Sequence, residues 1–188
     1  MNVLLIGPPG SGKGTQGERL AERLGLEHIA AGDLLRAEVK AQTPLGQQVA
    51  ELMERGDLVP DSVIISLVMP KVAAAAGANG YLLDGFPRSV EQAREARALA
   101  ERLDAGPTAV IYLDAPRPVL IERILARAEV EGRADDNEQT VTNRLHVFDE
   151  ATHPLVDYYR ERGLLKVIDA DQDADAVTDA IVAALTDG

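Results

Sequence analysis

The sequence predicts an α/β protein in three layers, with a five-stranded parallel sheet between two layers of helices. Three observations carry this. Short apolar runs recur along the chain, each is followed by a helical pattern, and the first ends in a glycine-rich turn that opens a helix. Strands alternating with helices require crossovers, and right-handed crossovers leave both faces of the sheet covered.

The elements follow in order. Asn2 to Ile6 is an apolar run fit for a buried strand, and Gln16 to Leu24 reads as a helix with Leu20 and Leu24 one turn apart. Gly25 breaks that pattern. His28 to Ala30 reads as a second strand, and Gly32 to Arg36 opens a further helix. Leu45 to Arg55 carries Val49, Leu52 and Met53 on one face and stops at Gly56, so residues 30–59 form a small helical excursion between strands. Asp61 opens a helix with Val63, Ile64, Leu67 and Val68, which Pro70 is expected to interrupt or kink.

Tyr81 to Asp84 makes a third strand, Ser89 to Leu103 a charged helix, Ala109 to Leu113 a fourth strand and Pro116 to Arg127 a helix. A polar segment, Ala128 to Asn137, separates this helix from one opening at Glu138 with Val141, Leu145 and Phe148 inward. Leu164 to Ile168 is the fifth strand, and Ala174 to Leu185 the last amphipathic helix. No internal repeat or low-complexity linker is seen.

Composition bounds the function. With 188 residues and 46% hydrophobic content the chain can bury one main core. Thirty-one acidic against nineteen basic residues give a net charge of −12, which argues against nucleic acid or an anionic membrane as partner. Any anion site must therefore be locally basic. Fifteen of the nineteen cations are arginine, whose planar fork of donors suits phosphate. The absence of cysteine excludes disulfides and thiolate zinc sites. The first apolar run is too short for a signal peptide or membrane span and has no basic residue before it, so the cytoplasm is the expected compartment. His28, His146 and His153 lack metal-ligand spacing and are assigned no chemistry. The acidic C-terminal end reads as a solubilising surface.

The stretch Gly7-Pro8-Pro9-Gly10-Ser11-Gly12-Lys13-Gly14-Thr15 lies between the first strand and its helix. Glycines let the backbone curl so that N–H groups converge, the helix N-terminus adds partial positive charge, and Lys13 can reach the outer phosphates of a nucleoside triphosphate. The spacing is that of a P-loop, except that Gly14 follows the lysine and the hydroxyl comes only at Thr15. Magnesium must then rely more on water and on a carboxylate elsewhere. Asp84, at the end of the third strand, is placed to hold it through water, and Arg88 to meet a second phosphate group. Alone, Asp84 reads equally as a turn or helix cap. Arg123 and Arg127 share a helix face and on their own read as a solvated pair.

With the P-loop, Asp84-Gly85-Phe86-Pro87-Arg88 and the arginines 123, 127, 133 and 144 in view, the chain resembles the nucleoside monophosphate kinases, specifically the short-lid adenylate kinases. The likeness covers nearly the whole length. It also rests on Gly32 to Arg36, Gly56 to Pro60, Gln92 and Gly132 to Asn137. It implies a single P-loop kinase domain over 1–188, with a monophosphate-binding excursion at 30–59 and a lid at 126–136. The substrates implied are ATP and AMP, with magnesium as cofactor, no zinc, no nucleic-acid or membrane partner, and a monomer.

The resemblance also implies roles. Gly10, Ser11, Gly12, Lys13, Gly14 and Thr15 would bind the donor phosphates, Arg123 would lie against its adenine with Gln172 nearby, and Arg127 would contact its phosphates. Arg36 and Arg88 would hold the acceptor phosphate. Ala31, Asp57, Leu58, Val59, Gly85, Phe86, Pro87 and Gln92 would line the rest of the acceptor site. Arg133 and Arg144 would close with the lid and bridge both nucleotides, making Lys13, Arg88, Arg127, Arg133 and Arg144 the catalytic set.

Two positions depart from the adenylate pattern. Ala31 stands where threonine is usual beside the acceptor base and is more like the uridylate/cytidylate kinases, which keeps UMP or CMP as an alternative acceptor. Gln172 replaces a usual glycine near the donor adenine. A switch GTPase is excluded because neither Asp-x-x-Gly nor Asn-Lys-x-Asp occurs. A non-catalytic ATP-binding module would not need arginines converging on a second phosphate.

Overall fold

The computed structural model describes residues 1–131 and 138–186, the side chains of 129–131 and 138–139 excepted. Five strands, β1 Asn2–Ile6, β2 Glu27–Ala30, β3 Tyr81–Asp84, β4 Ala109–Asp114 and β5 Leu165–Asp169, form one sheet in the order β2-β3-β1-β4-β5. Every pairing is parallel. The chain leaves β1 toward β2 on one side and leaves β3 toward β4 on the other, so the connections part beside β1. A crevice opens at the carboxyl ends of strands where connections diverge. The register pairs Leu5 with Asp84 and Ala30 with Asp84, which sets the end of β3 between the ends of β1 and β2.

Side chains alternate across the sheet with period two. Leu4, Ile6, Leu83, Val110 and Tyr112 enter the larger core, whereas Val3, Leu5, Leu82, Ile111 and Leu113 enter a second core on the opposite face. The second face is covered by α1 Lys13–Leu24 and α9 Ala174–Thr186 through Leu20, Val177 and Ile181. Inside this contact, Thr178 donates its hydroxyl to Gln16 Oε1 at 2.7 Å, and Gln16 Nε2 donates to the Ala174 carbonyl at 2.9 Å. The first face carries α2 Ala31–Lys40, α3 Pro44–Arg55, α4 Asp61–Ala76, α5 Val90–Arg102 and α8 Pro154–Arg160. The remaining helices, α6 Arg117–Glu131 and α7 Glu138–Val147, share a small cluster of their own made of Leu120, Ile124, Val141 and Leu145.

Several expectations are corrected. The first helix begins at Lys13, three residues before Gln16, because Gly12 in a left-handed conformation (φ 91°) ends the loop and lets Lys13 to Thr15 form the first turn. α4 runs unbroken through Pro70. The proline is exposed while Val68, Met69 and Val72 are buried, so the ring and the carbonyl it deprives of a donor both face water. α6 continues through Glu131, where a polar segment was expected from Ala128, since Ala128 to Glu131 contains no helix breaker. α7 gives way after Val147 to a single π turn, Phe148–Thr152, closed by His153 N–H on the Phe148 carbonyl at 2.8 Å. The sequence pattern also gave no sign of α8, whose Pro154 sits at its first turn.

Candidate active site

The loop after β1 contains a glycine, Gly10, that nothing larger could replace. Gly10 has φ 84°, and a Cβ there would lie 2.5 Å from the Leu120 carbonyl oxygen, so the loop rests directly on α6. Gly12 and Gly14, by contrast, would point a Cβ into open space. The N–H groups of Lys13, Gly14 and Thr15 precede the first intrahelical bond of α1, Gln16 N–H to the Gly12 carbonyl at 2.9 Å. They belong to the unpaired first turn that favours an anion.

Lys13 bends back beneath the loop. Its ammonium donates to the Gly7 and Pro8 carbonyls at 2.8 and 2.9 Å, leaving the third of its three donors for a ligand. Burial pushes this ammonium from 10.5 down to about 8, Asp84 opposes that shift, and Arg88, Arg144 and Arg127 add to it. Cations from β1's loop, the segment after β3, α6 and α7 thus act on one point. Asp84 shares it: burial raises its carboxyl above the usual range, against the pull of Lys13, His28 and Arg88 and with the help of Asp33.

On the β2 and β3 side, Ala31, Gly32, Gly85, Arg36 and Arg88 close on one another. A Cβ on Gly85 would meet Arg88 Nη2 at 3.5 Å, Gly32 N at 3.8 Å and the Ala31 Cβ at 3.9 Å; one on Gly32 would meet Arg36 Nη2 at 3.2 Å. Arg36 pairs with Asp33. Phe86 and Pro87 are buried beneath this wall. Arg88 is fixed through its backbone as well as its side chain: its N–H donates to Gln92 Oε1 at 2.7 Å, its carbonyl accepts from Thr152 Oγ1 at 2.8 Å, and its Nε donates to the Gly85 carbonyl at 2.9 Å. Gln92, 2% exposed, is oriented by that donor and by Asp61, whose Oδ1 accepts from its Nε2 at 2.8 Å. One amide hydrogen and one carbonyl lone pair remain.

On the other side, Arg123 is seated rather than solvated. Nη1 donates to the Ala170 carbonyl at 2.8 Å and Nη2 reaches the Gln172 carbonyl at 3.4 Å, which joins α6 to the loop after β5. Arg127, one turn on, contributes to the field at Lys13. Asp57 is engaged by Arg55 Nε at 3.1 Å and by Asn143 Nδ2 at 3.0 Å; Leu58 is half-buried and Val59 belongs to the main core. Thr15 is exposed at the mouth of the loop. Arg133 and the rest of Gly132–Asn137 lie outside the described residues.

The donor set fits a hard cation held largely by water and by a ligand's own oxygens. Asp84 Oδ1 and Ser11 Oγ are buried without a partner, and among the described residues no three potential ligands form an all-protein metal cluster. Three residues with no role in the sequence reading stand beside the site. Thr152 and Asp61 orient Arg88 and Gln92. His28 packs against Gly17 of α1, where a Cβ would lie 2.3 Å from its Nε2, an atom that is itself buried without a partner. No local motif marks these residues; their roles come from contacts across elements.

The family model described as adenylate kinase matches residues 5–164 of this chain. The chain belongs to the adenylate kinase family. Adenylate kinases are phosphotransferases of the nucleoside monophosphate kinase type. A curated adenylate kinase of Synechococcus sp. (strain WH7803) is 47% identical over 97% of this chain and 97% of its own length. Those of Xanthomonas campestris pv. campestris (strain 8004) and Leptospira biflexa are 44% and 42% identical, covering 98% and 96% of this chain and 99% and 97% of their own. These likenesses favour the adenylate reading over the uridylate/cytidylate alternative that Ala31 had kept open.

Proposed function

We propose that this chain transfers the terminal phosphoryl group of magnesium-bound ATP reversibly to AMP, giving two ADP, as an adenylate kinase acting in nucleotide homeostasis. The observation that supports the reading is that Arg88, Arg127 and Arg144, from three other elements, all act on the Lys13 ammonium, beside which Asp84 offers a carboxylate with a buried, unpartnered oxygen. The first turn of α1 receives the donor's phosphates, with Lys13 on the outer ones and Arg123 under the adenine. Arg36 and Arg88 hold the acceptor's phosphate, and Asp57 to Val59 with Gln92 line its nucleoside. Arg144 adds its charge to that of Arg88 and Arg127 at Lys13, and Arg133 would join it on closure.

Asp84 and Ser11 would hold magnesium, the former through water. When bound, the ion neutralises charge on the donor's phosphate oxygens. The chain's own contribution is alignment and fixed positive charge opposite the transferred group, where one arginine can be worth roughly a thousandfold or more. Closure of the excursion at 30–59 and the lid at 126–136 would exclude the water that otherwise hydrolyses ATP. We further propose a monomer that works in the cytoplasm. Among the described residues, no helix is long and apolar enough to cross a membrane.

ADP formation from ATP with AMP, UMP or CMP in parallel tests the assignment. AMP is expected to be preferred, and Lys13→Met and Arg88→Ala are each expected to cut turnover by about a hundredfold or more while circular dichroism stays unchanged. Turnover close to that of the parent in either variant removes its role, and a preference for UMP or CMP overturns the choice of acceptor.

A further inference from the structure

The C-terminal end of α3 is completed by a helix far away in sequence. A helix leaves its last four carbonyls without intrahelical donors. Here Asp57 N–H reaches the Leu52 carbonyl at 2.9 Å and Gly56 N–H the Met53 carbonyl at 3.1 Å, with Gly56 left-handed at φ 75°. The remaining two are taken by α7: Thr140 Oγ1 donates to the Glu54 carbonyl at 3.0 Å and Asn143 Nδ2 to the Arg55 carbonyl at 2.7 Å. Asn143 Nδ2 also reaches Asp57 Oδ1 at 3.0 Å. Gly56 lies directly against Arg144, since a Cβ there would fall 2.5 Å from the Arg144 Cγ and 3.1 Å from the Thr140 Cγ2.

We propose that Thr140 and Asn143 are positioning residues that clamp the acceptor excursion onto the helix carrying Arg144. Seating the excursion and capping α3 are then one event, because withdrawing it uncovers two helix carbonyls together with the Thr140 hydroxyl, on a residue only 4% exposed. Asn143 immediately precedes Arg144, so the clamp sets the distance between the excursion and that arginine. The clamp deepens the reading of residues 30–59 as the acceptor site and rests on it.

The chain has no cysteine, so Gln48→Cys on α3 and Glu150→Cys in the π turn give a clean pair of label positions on exposed side chains. In that background, Thr140→Val with Asn143→Ala is expected to lengthen the label separation without nucleotides and to raise KM for AMP by about tenfold, with KM for ATP within about twofold and kcat not reduced. Thr140→Ser, which keeps the hydroxyl, is expected to behave as the parent. An unchanged separation and AMP KM in the double variant overturn the clamp, and so does an equal rise in both KM values with a lowered melting temperature. If the parent itself fails to turn over AMP, the acceptor assignment falls while the distance measurement still decides the clamp.

Discussion

Lys13 is held by two carbonyls of its own loop in a place crowded with other cations, and this makes its proton a reporter of ligand binding. With its ammonium pushed down to about 8 by burial, roughly half of the molecules at pH 8 carry a neutral Lys13. The sign follows from linkage. Between about 8 and the ordinary 10.5 the unfolded chain binds more protons here than the folded one, so this group's contribution to stability rises with pH across that window. A bound triphosphate reverses the balance by favouring the charged form, and the nucleotide's own last proton, with a pKa of about 6, is already lost at pH 8. Titrating ATP calorimetrically at pH 8 in buffers of different ionisation enthalpy is expected to show uptake of about half a proton, and Lys13→Met to abolish it. Release of protons, or uptake that survives in the variant, contradicts the placement of Lys13 on the phosphates.

At the scale of elements, the strands and the loop were legible because each is a local pattern. Leu4 and Ile6 alternate with Val3 and Leu5 on β1, and the spacing from Gly7 to Lys13 lies within one turn of chain. What could not be read was set by partners remote in sequence. Glycines hid the first turn of α1, and Pro70 could be judged only once its exposed face was known. Arg123 looked solvated until the carbonyl of Ala170 came into reach. The π turn is the clearest case: its extra residue alters the helical phase just where Thr152 must reach the Arg88 carbonyl, a bond between positions 64 apart. Thr152→Val removes that donor and leaves the carbonyl inside the fold, a loss of about 1 kcal/mol or somewhat more. The expected result is an AMP KM raised several-fold with the ATP KM unchanged, and recovery in Thr152→Ser; steady-state kinetics on the pair checks it, and parental KM values in the valine variant would free Arg88 from this constraint.

At the scale of the molecule, the two faces of the sheet and the α6–α7 cluster have unequal claims on stability. β1 and β4 are buried on both sides, whereas Leu120, Ile124, Val141 and Leu145 make up a small separate core. Opening α6 and α7 exposes this core and leaves the sheet intact, so it costs less than unfolding the whole, as befits elements flanking the segment proposed as a lid. The inequality has a directional test by native-state hydrogen exchange. Ile111→Val, in the sheet, weakens global stability by about 0.5–1.5 kcal/mol. It is therefore expected to speed exchange at β1 and β4 amides by about two- to twelvefold. Amides of α7 from Val141 to Val147 should keep their rates, because Ile111 stays packed in the state through which they exchange. Leu145→Ala weakens packing that the local and the global opening both disrupt, so it is expected to accelerate both groups alike. Equal acceleration of both groups by Ile111→Val would mean that α7 opens only with the sheet, and the proposed lid would then have to close without a separately yielding unit beside it.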